Sequence, residues 1–415
     1  MKKIITMVGT SLFENYIEKN DDTNFKNAYN HLKNNKINAQ NLDSESQRRK
    51  NIEKGLDRTW FEKHKQNVSA EIKSLIKLKE ELNEDFEIHL LYSDTALSRL
   101  AAEILQKAIT QYYDEFKDCE VKIIEIPKLQ IWDKREFMEG MSNLIKKVDE
   151  ISKGSWENVI INITGGYKAT IPYLTILGQI NRCPIYYIFE DTDALIKISP
   201  TPISINWGIF EKYSHILEKF EKGIDQLNEF KKDYSEYDQF YEELKSLIWI
   251  DNQLQLAELN PIGKIFWQLY QKNIIVYIPT QSQYFKLPQP HKRRIENAVR
   301  ELYGRLKTFL KNEKNKSSCI KKIINLTDQN DLRHGPVIDE EEGVFIFKST
   351  NETHIRLLYS FNLSPIGEVT SIIIYDFVYE KFDHSKYIEQ FKRNYPIIKD
   401  REKTILPVKK EVSHV

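Results

Sequence analysis

Up to about residue 190 the apolar positions alternate between two patterns. Short continuous apolar runs at 3–8, 86–92, 121–126, 159–163 and 184–189 are bounded by turn residues and predict buried strands. Between them apolar residues recur at helical spacing: Ile72, Leu75, Ile76 and Leu78, then a stretch from 96 to about 112, then one over roughly 134–151. Strand and helix in repeated alternation predict an α/β, doubly wound, mostly parallel sheet. Residues 20–58 break the rhythm. They are rich in Asn, Lys and Asp and poor in large apolar residues, and they predict weak helices and loops inserted after the first strand.

Beyond Pro200 and Pro202 the pattern changes. From 207 to about 249 a highly charged sequence carries Ile216, Phe220, Ile224, Leu227 and Phe230 at helical spacing, which predicts a long helix or helical hairpin between two domains. Asn260-Pro261 marks a second boundary. A strand at 274–278 follows, then a basic amphipathic helix opening at His291 with Ile295, Val299, Leu302 and Leu306 inside. Three strands at 344–348, 355–361 and 369–379 and a short helix at 387–393 complete an α+β layout. The expected domains are 1–203, a helical linker at 204–270, an α+β domain at 271–400 and a tail at 401–415.

Composition adds three constraints. At 415 residues, 40% apolar and 29% charged, the chain exceeds one ordinary core and suits a soluble protein of two or three domains. No apolar run approaches the length of a membrane span, and the apolar stretch at the N-terminus is short enough to read as a first strand rather than a signal peptide. Cys119, Cys183 and Cys319 lie far apart, with neither a disulfide framework nor zinc spacing, so a reducing cytoplasm is expected. The net charge is zero, yet residues 261–415 hold 26 Lys and Arg against 18 Asp and Glu, which favours a polyanionic partner for the C-terminal domain.

Two strand ends stand out chemically. The first strand runs into Gly9-Thr10-Ser11, and the strand at 159–163 runs into Thr164-Gly165-Gly166-Tyr167-Lys168, where a helix is expected to open. Glycines before a helix N-terminus leave backbone N–H groups free to cradle an anion, and strand-end loops of a doubly wound sheet share one edge. A tight turn and a simple helix cap are the alternative readings. In the C-terminal domain no metal-ligand spacing and no Ser/His/Asp or Cys/His set is found. The candidates there are Lys348, Arg356, Lys381, His384 and Tyr387. Such groups suit metal-free RNA cleavage, in which the 2′-OH attacks phosphorus, cations stabilise the transition state and two groups move protons. The alternative is ordinary polar residues on a small sheet.

The ordered motifs M-V-G-T-S-L-F-E-N, S-A-E-I-K-S-L, L-Y-S-D-T and N-I-T-G-G-Y-K-A, spread over roughly residues 1–200, resemble the CRISPR-associated Rossmann-fold (CARF) domains of type III CRISPR accessory proteins. The resemblance implies a Rossmann-like domain, a homodimer, and a pocket for a cyclic oligoadenylate, tetra-adenylate being the more usual ring. It implies ligand contacts from Gly9, Thr10, Ser11, Thr164, Gly165, Gly166 and Lys168, with Ser93, Asp94 and Trp132 on neighbouring loops. Glu14 departs from the family's small or polar residue and is expected to point away from phosphate.

The run G-V-F-I-F-K-S-T-N-E-T-H-I-R-L-L-Y-S-F followed by Y-E-K-F-D-H-S-K-Y-I-E-Q-F-K-R, with L-R-H-G upstream, resembles the RelE/HigB toxin ribonucleases over about residues 273–396. That implies an mRNA interferase acting on the ribosome. Lys348 and Arg356 would then hold the scissile phosphate, Lys381 would stand where the family often has arginine, and His384 and Tyr387 would serve as acid, base or stacking platform. Lysine lacks arginine's two-pronged geometry, a weakness at that position. Arg333-His334 raises a rival, the HEPN ribonucleases, whose Arg and His are normally spaced along a helix. A third reading is a cyclic-oligoadenylate sensor whose C-terminal domain only binds RNA or a partner.

Overall fold

The computed structural model describes residues 1–130, 132–189, 193–201, 203, 205–381 and 383–410. They divide into two compact units, one from residues 1–204 and one from 205–415.

Unit 1 is built on six strands: β1 (Lys2–Met7), β2 (Phe86–Ser93), β3 (Val121–Ile126), β4 (Val159–Asn162), β5 (Ile185–Phe189) and β6 (Ala194–Ile198). Their order is β3-β2-β1-β4-β5-β6, with the first five parallel and β6 antiparallel. This is the doubly wound architecture expected. Parallel strands covered by helices on both faces are apolar throughout, and every residue of β4 is buried. The chain reverses direction of winding between β1 and β4, so the loops after these two strands meet at the C-terminal edge, where such sheets bind ligands. The helices between strands begin at side-chain caps: Ser69, Thr95 and Asp133 each accept a backbone N–H from the first turn.

The insertion after β1 is better ordered than its composition predicts. It holds helices Thr23–Asn34, Ser46–Gly55 and Arg58–His64, the first and last capped by Asp22 and Asp57. Its apolar residues are few but well placed. Phe25, Ala28, Tyr29 and Leu32 make one stripe, and all are buried in the core.

Unit 2 includes the segment expected to be a linker. Residues 207–244 form four short helices rather than one long one, and Gly223, at φ 87°, ends the second of them. A hairpin of β7 (Ile248–Asp251) and β8 (Leu256–Leu259) follows. Aromatic residues here, among them Trp207, Phe210, Tyr213, Phe220 and Phe240, share a core with Ile275 of the main sheet. The Glu211 carboxylate accepts from the hydroxyls of Tyr277, Thr370 and Ser371, which locks the segment to that sheet.

The main sheet of unit 2 contains β9 (Asn273–Pro279), β12 (Phe345–Lys348), β13 (Arg356–Leu363), β14 (Val369–Val378) and β15 (Lys403–Lys409), after a small hairpin of β10 (Gln329–Asn330) and β11 (Arg333–His334). The order is β12-β13-β14-β9-β15, with β9 parallel to β14 and the rest antiparallel. The α+β layout is as expected in kind. Two features differ. The expected tail contributes β15, which covers the free side of β9 and buries Val408. The closing helix runs His384–Ile398, longer than its apolar spacing predicts, with Asp383 as its cap.

Candidate ligand cleft and candidate catalytic cluster

In unit 1 a cleft of about 530 Å³ opens at the C-terminal ends of the strands. Of the residues expected to contact a ligand, Gly9, Thr10, Ser93, Trp132 and Gly166 line it. The two glycine loops touch: a Cβ on Gly9 would sit 2.9 Å from the Gly166 nitrogen, so only glycine permits this approach.

The remaining candidates are engaged elsewhere or lie outside the cleft. The Glu71 carboxylate, fully buried, accepts the Gly9 N–H at 2.8 Å and the Ser11 hydroxyl at 3.3 Å. It also packs against Gly165, where a Cβ would lie 2.4 Å from its Oε1. An internal carboxylate thus takes one of the amides expected to cradle phosphate. Thr164 bonds Asn162 and receives the Ile188 N–H, Asp94 receives the Lys128 N–H, and Lys168 is exposed outside the cleft lining. Beyond the glycines the chain makes one tight helical turn before helix Ile171–Ile180 opens, so no helix N-terminus lies directly behind them. Glu14 lies outside the lining too, bonded to the hydroxyls of Thr10 and Tyr29.

Three cleft residues had escaped notice. Lys33 and Lys36 come from the insertion and Gln130 from the loop after β3. Gln130 is 6% exposed and its carbonyl oxygen has no hydrogen-bond partner among the described residues. A polar stretch read as loop gave no signal for the lysines. A single glutamine beside Trp132 gave none either.

In unit 2 alternation along the strands places Lys348 and Arg356 on the face that carries Val344, Ile346 and Leu358, against helix His384–Ile398. The two cations face each other across β12 and β13, in register with Val378. Among the described residues no carboxylate forms an ion pair with either. The Arg356 guanidinium lies 5.9 Å from the centre of the Tyr387 ring, and the His384 ring lies 5.2 Å from that of Tyr387. His334 joins them: its ring is 5.2 Å from that of His384. Four of the five predicted residues therefore converge. Lys381 is exposed in the preceding loop, and among the described residues no hydrogen bond, ion pair or ring contact joins it to the others.

Electrostatics divide the protonatable groups. The His334 imidazole is pushed down to about 4, by burial first and then by the neighbouring charges of Arg356, Lys348 and His384, so it is neutral at pH 7. Burial pushes the Tyr387 phenol up, partly offset by Arg356, so it keeps its proton. Three polar atoms here are buried with no hydrogen-bond partner among the described residues: His334 Nδ1, Arg356 Nε and the Tyr387 hydroxyl. Each such atom costs about 1–3 kcal/mol, so three collected at one place call for a partner from outside the described side chains. His334 was visible in the sequence only as part of Arg333-His334. The structure separates that pair, because neighbours on a strand point to opposite faces. Arg333 lies on a strand, and its guanidinium donates to the carbonyls of Ile324, at the end of a helix, and Leu326. No group of three or more His, Cys, Asp or Glu suited to hold a metal occurs among the described residues.

Residues 66–201 match the CRISPR-associated protein family Cas_APE2256. The Cas_APE2256-like stretch contains Ser93, Asp94, Trp132 and Thr164 to Lys168, and it excludes Gly9 to Ser11 and residues 20–58. Among solved structures, Can2 from Sulfobacillus thermosulfidooxidans in complex with cyclic tetra-adenylate is similar at 14% identity, over 45% of this chain and 57% of that one, with a TM-score of 0.19. A likeness at that score carries no inference about site or ligand. No curated protein matches the chain.

Proposed function

We propose that the protein is a cyclic-oligoadenylate-gated endoribonuclease of type III CRISPR defence, active as a homodimer. Unit 1 senses the ring in its cleft, and tetra-adenylate is the favoured activator. Unit 2 cleaves mRNA, on the ribosome, by a metal-independent route. The observation that carries the catalytic half is the convergence of two uncompensated cations, two imidazoles and a phenol from four separate elements, with three of their polar atoms left unpartnered. The sensing half is supported by the CRISPR-associated match over 66–201 and by a cleft at the sheet edge.

In this reading Lys348 and Arg356 hold the scissile phosphate and stabilise the charge that builds on its oxygens. Neutral His334 takes the proton of the attacking 2′-OH. The new 2′-O–P bond forms as the P–O5′ bond breaks, leaving a 2′,3′-cyclic phosphate. The departing 5′-oxygen takes a proton from Tyr387, whose raised pKa keeps it a donor, or from His384. Gating requires the activator to bind the active arrangement more tightly than the inactive one.

The test is RNA cleavage by the full chain with cyclic tetra- or hexa-adenylate, with and without ribosomes, in EDTA. Ring-dependent cleavage that survives EDTA and ends in a cyclic phosphate is the expected result. Metal-dependent cleavage would sink the chemistry. No cleavage under any ligand, with RNA still bound, would leave a sensor with a binding module.

A further inference from the structure

We propose that the unit 1 cleft recognises its ligand through residues outside the glycine motif: Gln130 reads the edge of an adenine, and Lys33 and Lys36 hold the phosphates. This rests on the reading of that cleft as a cyclic-oligoadenylate site. The glycine loops then serve as a floor that lets the ligand approach closely.

The floor itself is poorly suited to phosphate. The Gly9 N–H is already donated to Glu71, and the Ser11 hydroxyl points to the same carboxylate. Glu71 is fully buried beneath the loops, so its charge is weakly screened and opposes a second anion placed on those amides.

Positive charge enters from the side. The insertion is fastened to the sheet edge, since the Ala96 N–H donates to the Ile37 carbonyl at 2.8 Å and Arg99 donates to the Ala39 carbonyl at 3.1 Å. Arg99 also pairs with Asp43. Lys33 and Lys36 are therefore presented from a fixed wall. Lys33 donates to the Tyr29 hydroxyl, which holds its pKa above the usual lysine value and keeps it charged. Exposed Lys36 has no carboxylate partner among the described residues. Glu14 lies 3.7 Å from the Lys33 ammonium and competes with a ligand for it.

The base end is different. Gln130 is nine-tenths buried, lines the cleft and has an unpartnered amide oxygen. A glutamine amide offers one donor and one acceptor side by side, which match the 6-amino group and N7 of adenine. Trp132 and Tyr167 supply the apolar surroundings of a base.

The test is calorimetric titration of the full chain with cyclic tetra-adenylate and, separately, cyclic hexa-adenylate. K33A/K36A should weaken binding roughly a hundred-fold and K33R/K36R should largely restore it. Q130L should weaken binding roughly ten-fold and should narrow the preference for the adenine ring over the same ring built from inosine, in which an oxo group replaces the 6-amine. E14Q should tighten binding a few-fold. Wild-type affinity in K33A/K36A, with the loss falling on K168A instead, overturns the phosphate assignment. An unchanged adenine preference in Q130L overturns the base assignment. Failure of the unaltered protein to bind either ring removes the cyclic-oligoadenylate reading and this inference with it.

Discussion

The two units treat their sequence motifs in opposite ways. In unit 1 the glycine motif drew attention, yet its Gly9 amide and its Ser11 and Thr164 hydroxyls are consumed inside the protein by Glu71, Asn162 and the Ile188 amide. The groups the cleft offers instead, the unpartnered Gln130 oxygen, Lys36, and a Lys33 that Tyr29 and Glu14 hold, belong to no motif. In unit 2 the scattered candidates are the ones left free. Lys348, Arg356, His384 and Tyr387 come together, and His334 joins them. Glycine records what the backbone needs in order to turn and pack. Cations and imidazoles without partners record what the surface has available for another molecule. A motif therefore locates a site more reliably than it names the groups that act there.

The sharpest break of this comparison is Arg356→Ala. It should lower cleavage by about a hundred- to a thousand-fold, as expected for loss of one transition-state donor, with ring binding unchanged by calorimetry. Equal cleavage by the variant would put the chemistry elsewhere. His334→Ala should cost roughly a hundred-fold. The pH dependence sharpens its role: the limb due to His334 should rise near pH 4 rather than 6.5, so activity is flat in that limb from about pH 5 upward. The same group affects stability. Between about pH 4 and 6.5 the unfolded chain holds a proton on His334 that the folded protein rejects, so stability falls as pH drops through that window and is unaffected above it. Chemical denaturation of H334Q against the unaltered protein at pH 5 and 7.5 measures the difference.

In unit 1 Gly165→Ala drives a methyl into Glu71 and should destabilise that unit by about 1–3 kcal/mol, read as a lowered first transition in a thermal melt. A melt identical to that of the unaltered protein would mean that Glu71 is free to move, and that the Gly9 amide is available to a ligand after all. The smallest effect belongs to Lys381→Ala. Exposed and apart from the cluster, it should leave the cleavage step nearly intact and weaken RNA binding only at low salt.

Much of the fold was legible. Continuous apolar runs gave the parallel strands of unit 1, and alternation gave β12 to β14. Segments whose apolar residues are sparse or aromatic were harder. Phe25, Tyr29 and Leu32 form a buried stripe that charged neighbours conceal, and Trp207 to Phe240 fill a core through short helices whose breaks, such as Gly223, look minor in a periodic pattern. Lys348, Arg356, His384 and Tyr387 could be named because cations, an imidazole and a phenol stand on and just after successive alternating strands, while their cross-strand register came only with the structure. His334 escaped because, beside Arg333, it was weighed only as a poor match to a spaced helical Arg–His pair, and only strand geometry turns it toward the cluster. Glu71 escaped because a carboxylate at the start of a helix looks like a favourable dipole partner rather than the ligand of a distant glycine.

The covering of β9 by β15 bears on how the polypeptide reaches its active form. Pairing Asn273–Pro279 with Lys403–Lys409 joins segments far apart in sequence, and closing so long a loop is slow relative to forming the nearby meander. Until it closes, one row of β9 amides and carbonyls stands open as a template for another strand. A nascent or truncated chain lacking residues 403–409 would thus be prone to self-association until that last strand is in place.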